Sequence, residues 1–119
     1  MSKKILVVDD EEFIREAMTD LFNSNGYEAQ CASSGQEAFE LCSKQEFDIV
    51  ISDIRMADGD GLELANNLFE KFGTKLPVIF VTGYLDCEGI DIPTNVVEVV
   101  KKPVRFVNLN SVVTRVLGL

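Results

Sequence analysis

Histidine is absent from this chain. That absence removes a Ser-His-Asp triad, a His-based metal centre and a phosphohistidine carrier within these residues. Cysteine is scarce. Cys31, Cys42 and Cys87 are odd in number and lack C-x-x-C spacing, so they read as reduced, partly buried thiols rather than a disulfide framework or a zinc site. No apolar run approaches the roughly 18 residues of a membrane span, and membrane insertion is not expected. The stretch Ile5 to Val8 meets acid at once and lacks a small-residue cleavage site, so it is no secretory signal and the chain reads as cytoplasmic. Basic residues are the minority, 11 Lys and Arg against 20 Asp and Glu, for a net charge of -9. Such a surface repels phosphates and releases few counterions, which disfavours direct nucleic-acid binding. It favours a cation or a partner with a basic surface.

What is present suffices for a globular domain. The 119 residues are 46% hydrophobic, and a chain of that size buries roughly two-thirds of its unfolded surface without staples. There are no internal repeats, low-complexity tracts or linkers, so residues 1–119 read as one domain.

Apolar periodicity alternates between two patterns. Lys3 to Val8 is a short apolar run ending in Asp9-Asp10. Phe13, Ala17 and Leu21, with Ile14, Met18 and Phe22, then recur at four-residue spacing as the mostly core-facing stripe of an amphipathic helix, with an exposed edge left for a partner. Asn25-Gly26 stops that helix. Tyr27 to Ala32 reads as a strand, and Ser34 and Glu37 stand at capping-box spacing before a second helix through Ala38, Leu41 and Cys42. Phe47 to Ser52 is a strand ending in Asp53. A turn at Asp58-Gly59-Asp60-Gly61 precedes a helix carrying Leu62, Ala65, Leu68 and Phe69. Leu76 to Val81 ends in Thr82-Gly83, Val96 to Val100 ends in Lys101-Lys102-Pro103, and Asn108 to Leu117 is a closing helix.

Strands alternating with helices predict a doubly wound, flavodoxin-like α/β fold: a five-stranded parallel sheet with helices on both faces. Near-continuous apolar strands fit a sheet covered on both sides. The segment Asp86 to Asn95 resists the pattern. It holds Gly89 and Pro93, which cost about 1 and 3 kcal/mol inside a helix, so the fourth helix is expected to be short or irregular.

In such sheets ligands bind beyond the carboxyl ends of the strands. Right-handed crossovers carry those ends to one edge, which gathers Asp9, Asp10, Asp53, Thr82 and Lys102 in one cleft. Mutually repelling carboxylates call for a compensating cation. Mg2+ suits them, as a hard ion that takes a few carboxylate oxygens and water. A neutralised carboxylate can attack phosphorus, with a metal, a lysine and a hydroxyl to stabilise the charge on the transferring group.

These residues resemble the receiver domains of two-component response regulators. The segments that carry the likeness are Ile5-Leu6-Val7-Val8-Asp9-Asp10-Glu11, Asp53-Ile54-Arg55-Met56 with Asp60-Gly61, Val81-Thr82-Gly83 and Lys102-Pro103. The resemblance implies that Asp53 accepts a phosphoryl group from a sensor histidine kinase or phosphotransfer protein, so the chain is a signalling module and not an enzyme. It implies Asp9, Asp10, Asp53 and the Arg55 carbonyl as metal ligands, Thr82 as a hydroxyl donor that reorients on modification, and Lys102 as the partner of the Asp53 carboxylate. Backbone amides near Ile54, Arg55 and Gly83 would cradle the remaining oxygens, and the Lys102–Pro103 bond is often cis in the family. The output partner is not indicated. The chain departs from the family at Ala57, where proline is common, and at Val99, where an aromatic ring is usual.

Plainer readings stand beside these. Asp9 and Asp10 could cap the first helix, Asp53 could serve as a turn residue, and Thr82 could simply end a strand. Asp58 and Asp60 are explained by turn chemistry, and Lys101 by solvation. Two other functions use similar residues: a pseudo-receiver that is never phosphorylated, and a Mg2+-dependent phosphohydrolase of the haloacid-dehalogenase type. The second places its nucleophile after the first strand in a D-x-D motif, which Asp53-Ile54-Arg55 is not.

Overall fold

The structure is a computed structural model that describes residues 2–56, 60–83 and 91–119. Its elements are β1 (Lys4–Val8), α1 (Glu12–Ser24), β2 (Glu28–Ala32), α2 (Gly35–Lys44), β3 (Ile49–Asp53), α3 (Gly61–Phe72), β4 (Val78–Thr82), β5 (Val96–Lys101) and α4 (Phe106–Leu117). The five strands are parallel and lie in the order β2-β1-β3-β4-β5, the flavodoxin-like doubly wound arrangement. No described helix is long and apolar enough to cross a membrane.

Successive strand side chains point to opposite faces, so a continuous apolar run serves both sides. Leu6, Val8, Val50, Val78 and Phe80 pack with Ala38 and Cys42 of α2 and with Leu64, Ala65 and Leu68 of α3. Ile5, Val7, Ile49, Ile51, Ile79 and Val81 pack with Phe22 of α1 and with Leu109 and Val113 of α4. Phe80 and Phe22 are fully enclosed, and Phe22 meets Tyr27 and Phe106 edge-on. Cys31 and Cys42 are free thiols, and burial pushes the Cys42 thiol up to about 12.

Local signals account for the helix ends. Ser34 caps α2 by accepting the Glu37 N–H at 3.1 Å, while the Glu37 carboxylate takes the Ser33 N–H at 3.0 Å, one residue earlier than a standard capping box. Gly26, at φ 91°, carries the chain out of α1 into β2. Asp60 caps α3, accepting the Glu63 N–H at 2.8 Å, so it does more than fill a turn.

Two expectations need correction, and the sheet adds an irregularity. In α1 only Phe22 is buried; Phe13 is 84% exposed and Leu21 is also open, because this face of the helix lines a groove. In α3 the core residues are Leu64, Ala65 and Leu68, whereas Leu62 is half-buried and Phe69 exposed. The helix turns 100° per residue, so a shift of two positions carries the stripe off the core face. The paired lines of the sheet contain a bulge: Val78 pairs with Val96 and Ile79 with Glu98, leaving Val97 unpaired and exposed. Beyond it Val99 lies opposite Phe80, half-buried against the α2/α3 core.

The region expected to hold an irregular fourth helix falls partly on residues 84–90, and Ala57, Asp58 and Gly59 likewise lie outside the described residues. Asp91 to Asn95 carries no helix. Buried Asn95 donates its side-chain amide to the Ala65 carbonyl at 2.9 Å, and its backbone carbonyl accepts the Val78 N–H at 2.8 Å.

Candidate functional site

The strand register assembles the site. Val8 lies level with Ser52 across the β1–β3 pair, Asp53 with Val81, and Thr82 with Lys101. The residues at these exits therefore meet along one edge. The Asp9 N–H donates to the Ala32 carbonyl at 3.2 Å, and the Lys102 N–H to the Thr82 carbonyl at 2.7 Å, so the ladder holds both residues just beyond their strands.

Asp9 and Asp53 are buried and Asp10 is exposed, and one carboxylate oxygen from each lies within 4.8 Å of the others. Lys102, half-buried, reaches across and donates from Nζ to Asp53 Oδ2 at 2.6 Å. The other oxygen of Asp53 accepts the Arg55 N–H at 3.3 Å. Thr82 is buried at the end of β4, its hydroxyl donating to the Gly83 carbonyl at 3.3 Å. Lys101 is exposed, and the ammonium that enters the cleft is that of Lys102. The Lys102–Pro103 peptide bond is cis.

Electrostatics follow from this crowding. Burial holds the Asp9 carboxyl above its ordinary value of 3.8, and the charges of Asp53 and Glu11 add to the effect; the Glu11 N–H and the Lys102 ammonium act against it. Burial alone would lower the Lys102 ammonium. The hydrogen bond it donates to Asp53 and the attraction of Asp53, Asp9 and Glu11 outweigh it, so its pKa is raised above 10.5. Asp9 also takes the Glu11 N–H at 2.9 Å, a local turn bond just ahead of α1. Glu11 holds the cap position and makes no side-chain cap there, so Asp9 is not the N-cap of the first helix.

Two contributors escaped the sequence reading. The Arg15 guanidinium, one turn into α1, donates to the Asp9 carbonyl at 3.0 Å. Nothing in the sequence marks it except a basic residue five positions after Asp10. Gly61 is the second. Its N–H donates to the Ile54 carbonyl at 2.7 Å, and a Cβ there would collide with the Asp53 carbonyl. The start of α3 thus lies directly against the exit of β3. The signal was the glycine at the first helical position, where helix propensity alone gives no reason for one.

An all-oxygen cluster carrying three carboxylates against one ammonium, with burial raising the pKa of Asp9, has the donor set and the charge imbalance that suit a hard divalent cation.

Known proteins agree with this geometry. The regulatory protein AtoC of Escherichia coli K12 is 33% identical over 118 residues, 98% of this chain but 25% of AtoC, so the chain spans about a quarter of that relative. The response regulator TrrA of Thermotoga maritima, crystallised in complex with Mg(2+)-BeF, shares 34% identity at a TM-score of 0.86, covering 95% of this chain and 97% of TrrA. A response regulator receiver domain protein of Clostridium thermocellum superposes at a TM-score of 0.89 with 26% identity, over 98% of this chain and 94% of its own. Residues 5–114 match the response regulator receiver domain across the sheet and every strand exit described above, and the chain belongs to that family.

Proposed function

We propose that Asp53 is the phosphoacceptor of this receiver domain and that Lys102, Thr82, Asp9 and Asp10 serve its phosphorylation. The observation that carries the reading is the 2.6 Å pair between Lys102 and Asp53 beside the carboxylates of Asp9 and Asp10. Receiver domains partner with histidine kinases, and the donor for this chain is a sensor histidine kinase or phosphotransfer protein.

Asp9, Asp10 and Asp53, with the Arg55 carbonyl, would hold Mg2+. The ion would supply positive charge against the acceptor carboxylate and the incoming phosphoryl oxygens. TrrA, crystallised with Mg(2+)-BeF, supports this, since a beryllofluoride group stands in for a phosphoryl group.

The chain's own groups do the rest. Oδ1 or Oδ2 of Asp53 attacks phosphorus, and the electron pair of the breaking bond leaves with the donor. Lys102 is fixed on one side of the carboxylate before attack and can follow the charge onto a phosphoryl oxygen, so little reorganisation is needed. The Thr82 hydroxyl donates to the Gly83 carbonyl at 3.3 Å, and a phosphoryl oxygen on Asp53 would offer it a charged acceptor. Turning toward it would couple modification to the end of β4, and thence to partner binding.

Incubation with acetyl phosphate and Mg2+, followed by intact mass, tests the assignment. One added phosphoryl group is expected on the native chain and none on Asp53→Asn. Labelling that survives in Asp53→Asn would move the acceptor elsewhere.

A further inference from the structure

Arg15 stands at the end of the first turn of α1, where a positive charge opposes the helix dipole. It is half-buried, and the exposed acids Glu11, Glu12 and Glu16 are its near neighbours in sequence. Among the described residues its guanidinium forms no ion pair with any of them. It donates instead to a neutral acceptor, the Asp9 carbonyl, at 3.0 Å. Neither helix stability nor charge pairing accounts for that choice.

The reach follows from helix geometry. Side chains lean toward the N-terminus of their helix, so a residue at position 15 covers the turn that enters α1. Its own backbone is anchored. The Arg15 N–H donates to the Glu11 carbonyl at 2.9 Å, and the Arg15 carbonyl accepts the Thr19 hydroxyl at 2.7 Å. The guanidinium therefore reaches back from a fixed base.

The peptide that it grips joins two of the three clustered carboxylates. A peptide unit is planar from one Cα to the next, so the Asp9 carbonyl shares a plane with the Cα atoms of Asp9 and Asp10. Asp9 itself is held at both ends, its N–H on the Ala32 carbonyl at 3.2 Å and its carboxylate on the Glu11 N–H at 2.9 Å. A rotation of the peptide plane would still swing Asp10 relative to Asp9, and the Arg15 bond opposes that rotation. The charges that act on the Asp9 carboxyl are those of Lys102, Asp53 and Glu11, so the guanidinium holds position rather than neutralising the acid.

From this arrangement we propose that Arg15 is a positioning residue for the divalent-cation site, fixing the Asp9–Asp10 peptide and with it the spacing of the two carboxylates. The proposal rests on Asp9, Asp10 and Asp53 forming that site.

The direction of the change separates this role from two simpler ones. By charge alone, removing a cation beside an acidic cluster would tighten Mg2+ binding. A purely structural arginine would lower Tm and leave Mg2+ affinity unaltered. A positioning role requires weaker binding, by about tenfold, the low end of what loss of a supporting group costs a metal site.

The experiment is titration with Mg2+ alone, by isothermal titration calorimetry, of the native chain, Arg15→Met, Arg15→Lys and Asp10→Ala, with circular dichroism confirming each fold. Arg15→Met keeps an unbranched stem and loses the donor. Arg15→Lys keeps the charge without the planar fork, so an affinity between native and Arg15→Met is expected, and it carries the test if Arg15→Met does not fold. Native or tighter Mg2+ binding in Arg15→Met, or in Arg15→Lys where only that variant folds, would overturn the proposal. If Asp10→Ala still abolishes binding in that case, the cation site stands and the role of Arg15 alone falls. No binding by the native chain, or native-level binding in Asp10→Ala, removes the site and the role of Arg15 together.

Discussion

Gly61 offers the sharpest test of how the acceptor is held. The first residue of α3 sits so close to the end of β3 that a Cβ would collide with the Asp53 carbonyl, while its N–H bonds to Ile54 at 2.7 Å. Gly61→Ala must push α3 away from β3 or drag Asp53 with it. Inserting a methyl where backbone cannot yield costs about 1–3 kcal/mol, and loss of the hydrogen bond roughly 0.5–1.5 kcal/mol. A destabilisation of about 2–4 kcal/mol follows, which for a domain of this length lowers Tm by about 6–20 °C. Because the lysine contact with Asp53 is short, displacement of the carboxylate should also slow labelling by acetyl phosphate by about tenfold or more. Thermal unfolding by circular dichroism and time-resolved intact mass measure the two effects. Gly26→Ala is the control: its Cβ would meet open space at φ +91°, so it should cost about 1–2 kcal/mol of backbone strain and leave labelling unchanged. A Gly61→Ala chain that melts within about 2 °C of the native one and labels at the native rate would refute the close apposition of α3 and β3.

Three further outcomes are expected. Phe22→Ala should lose about 3–5 kcal/mol in urea unfolding, whereas Phe13→Ser should stay within about 0.5 kcal/mol; similar losses for both would contradict the exposure of the start of α1. Folded Asp9 holds its proton more tightly than the unfolded chain does, so without metal its contribution falls as pH rises from 3.8 through its raised value. Asp9→Asn should therefore raise Tm at neutral pH in metal-free buffer, with the gain fading in acid below that window, and a Tm difference independent of pH would remove the burial argument. Asp10→Ala should abolish Mg2+-dependent labelling of Asp53 and raise Tm in metal-free buffer by relieving repulsion; undiminished labelling would remove Asp10 from the metal site.

Much of this protein was legible without coordinates. Strand runs apolar at every position, such as Ile5 to Val8 and Ile49 to Ile51, require cover on both faces, and acids or a lysine directly after such runs mark the ligand edge of a parallel sheet. These are properties of local order in the chain, and they led to Asp9, Asp10, Asp53, Thr82 and Lys102.

Tertiary structure decided what depends on parity and close approach. One unpaired residue at Val97 switches the face of everything after it in β5, and the stretch of valines around it gives no warning because every phase of that pattern is apolar. The collision that demands glycine at position 61 exists only once β3 and α3 are brought together. The α1 stripe has the right period for burial, yet period reports direction around the helix and not distance from the sheet. Packing left that face half open, and an apolar groove therefore adjoins the acceptor site.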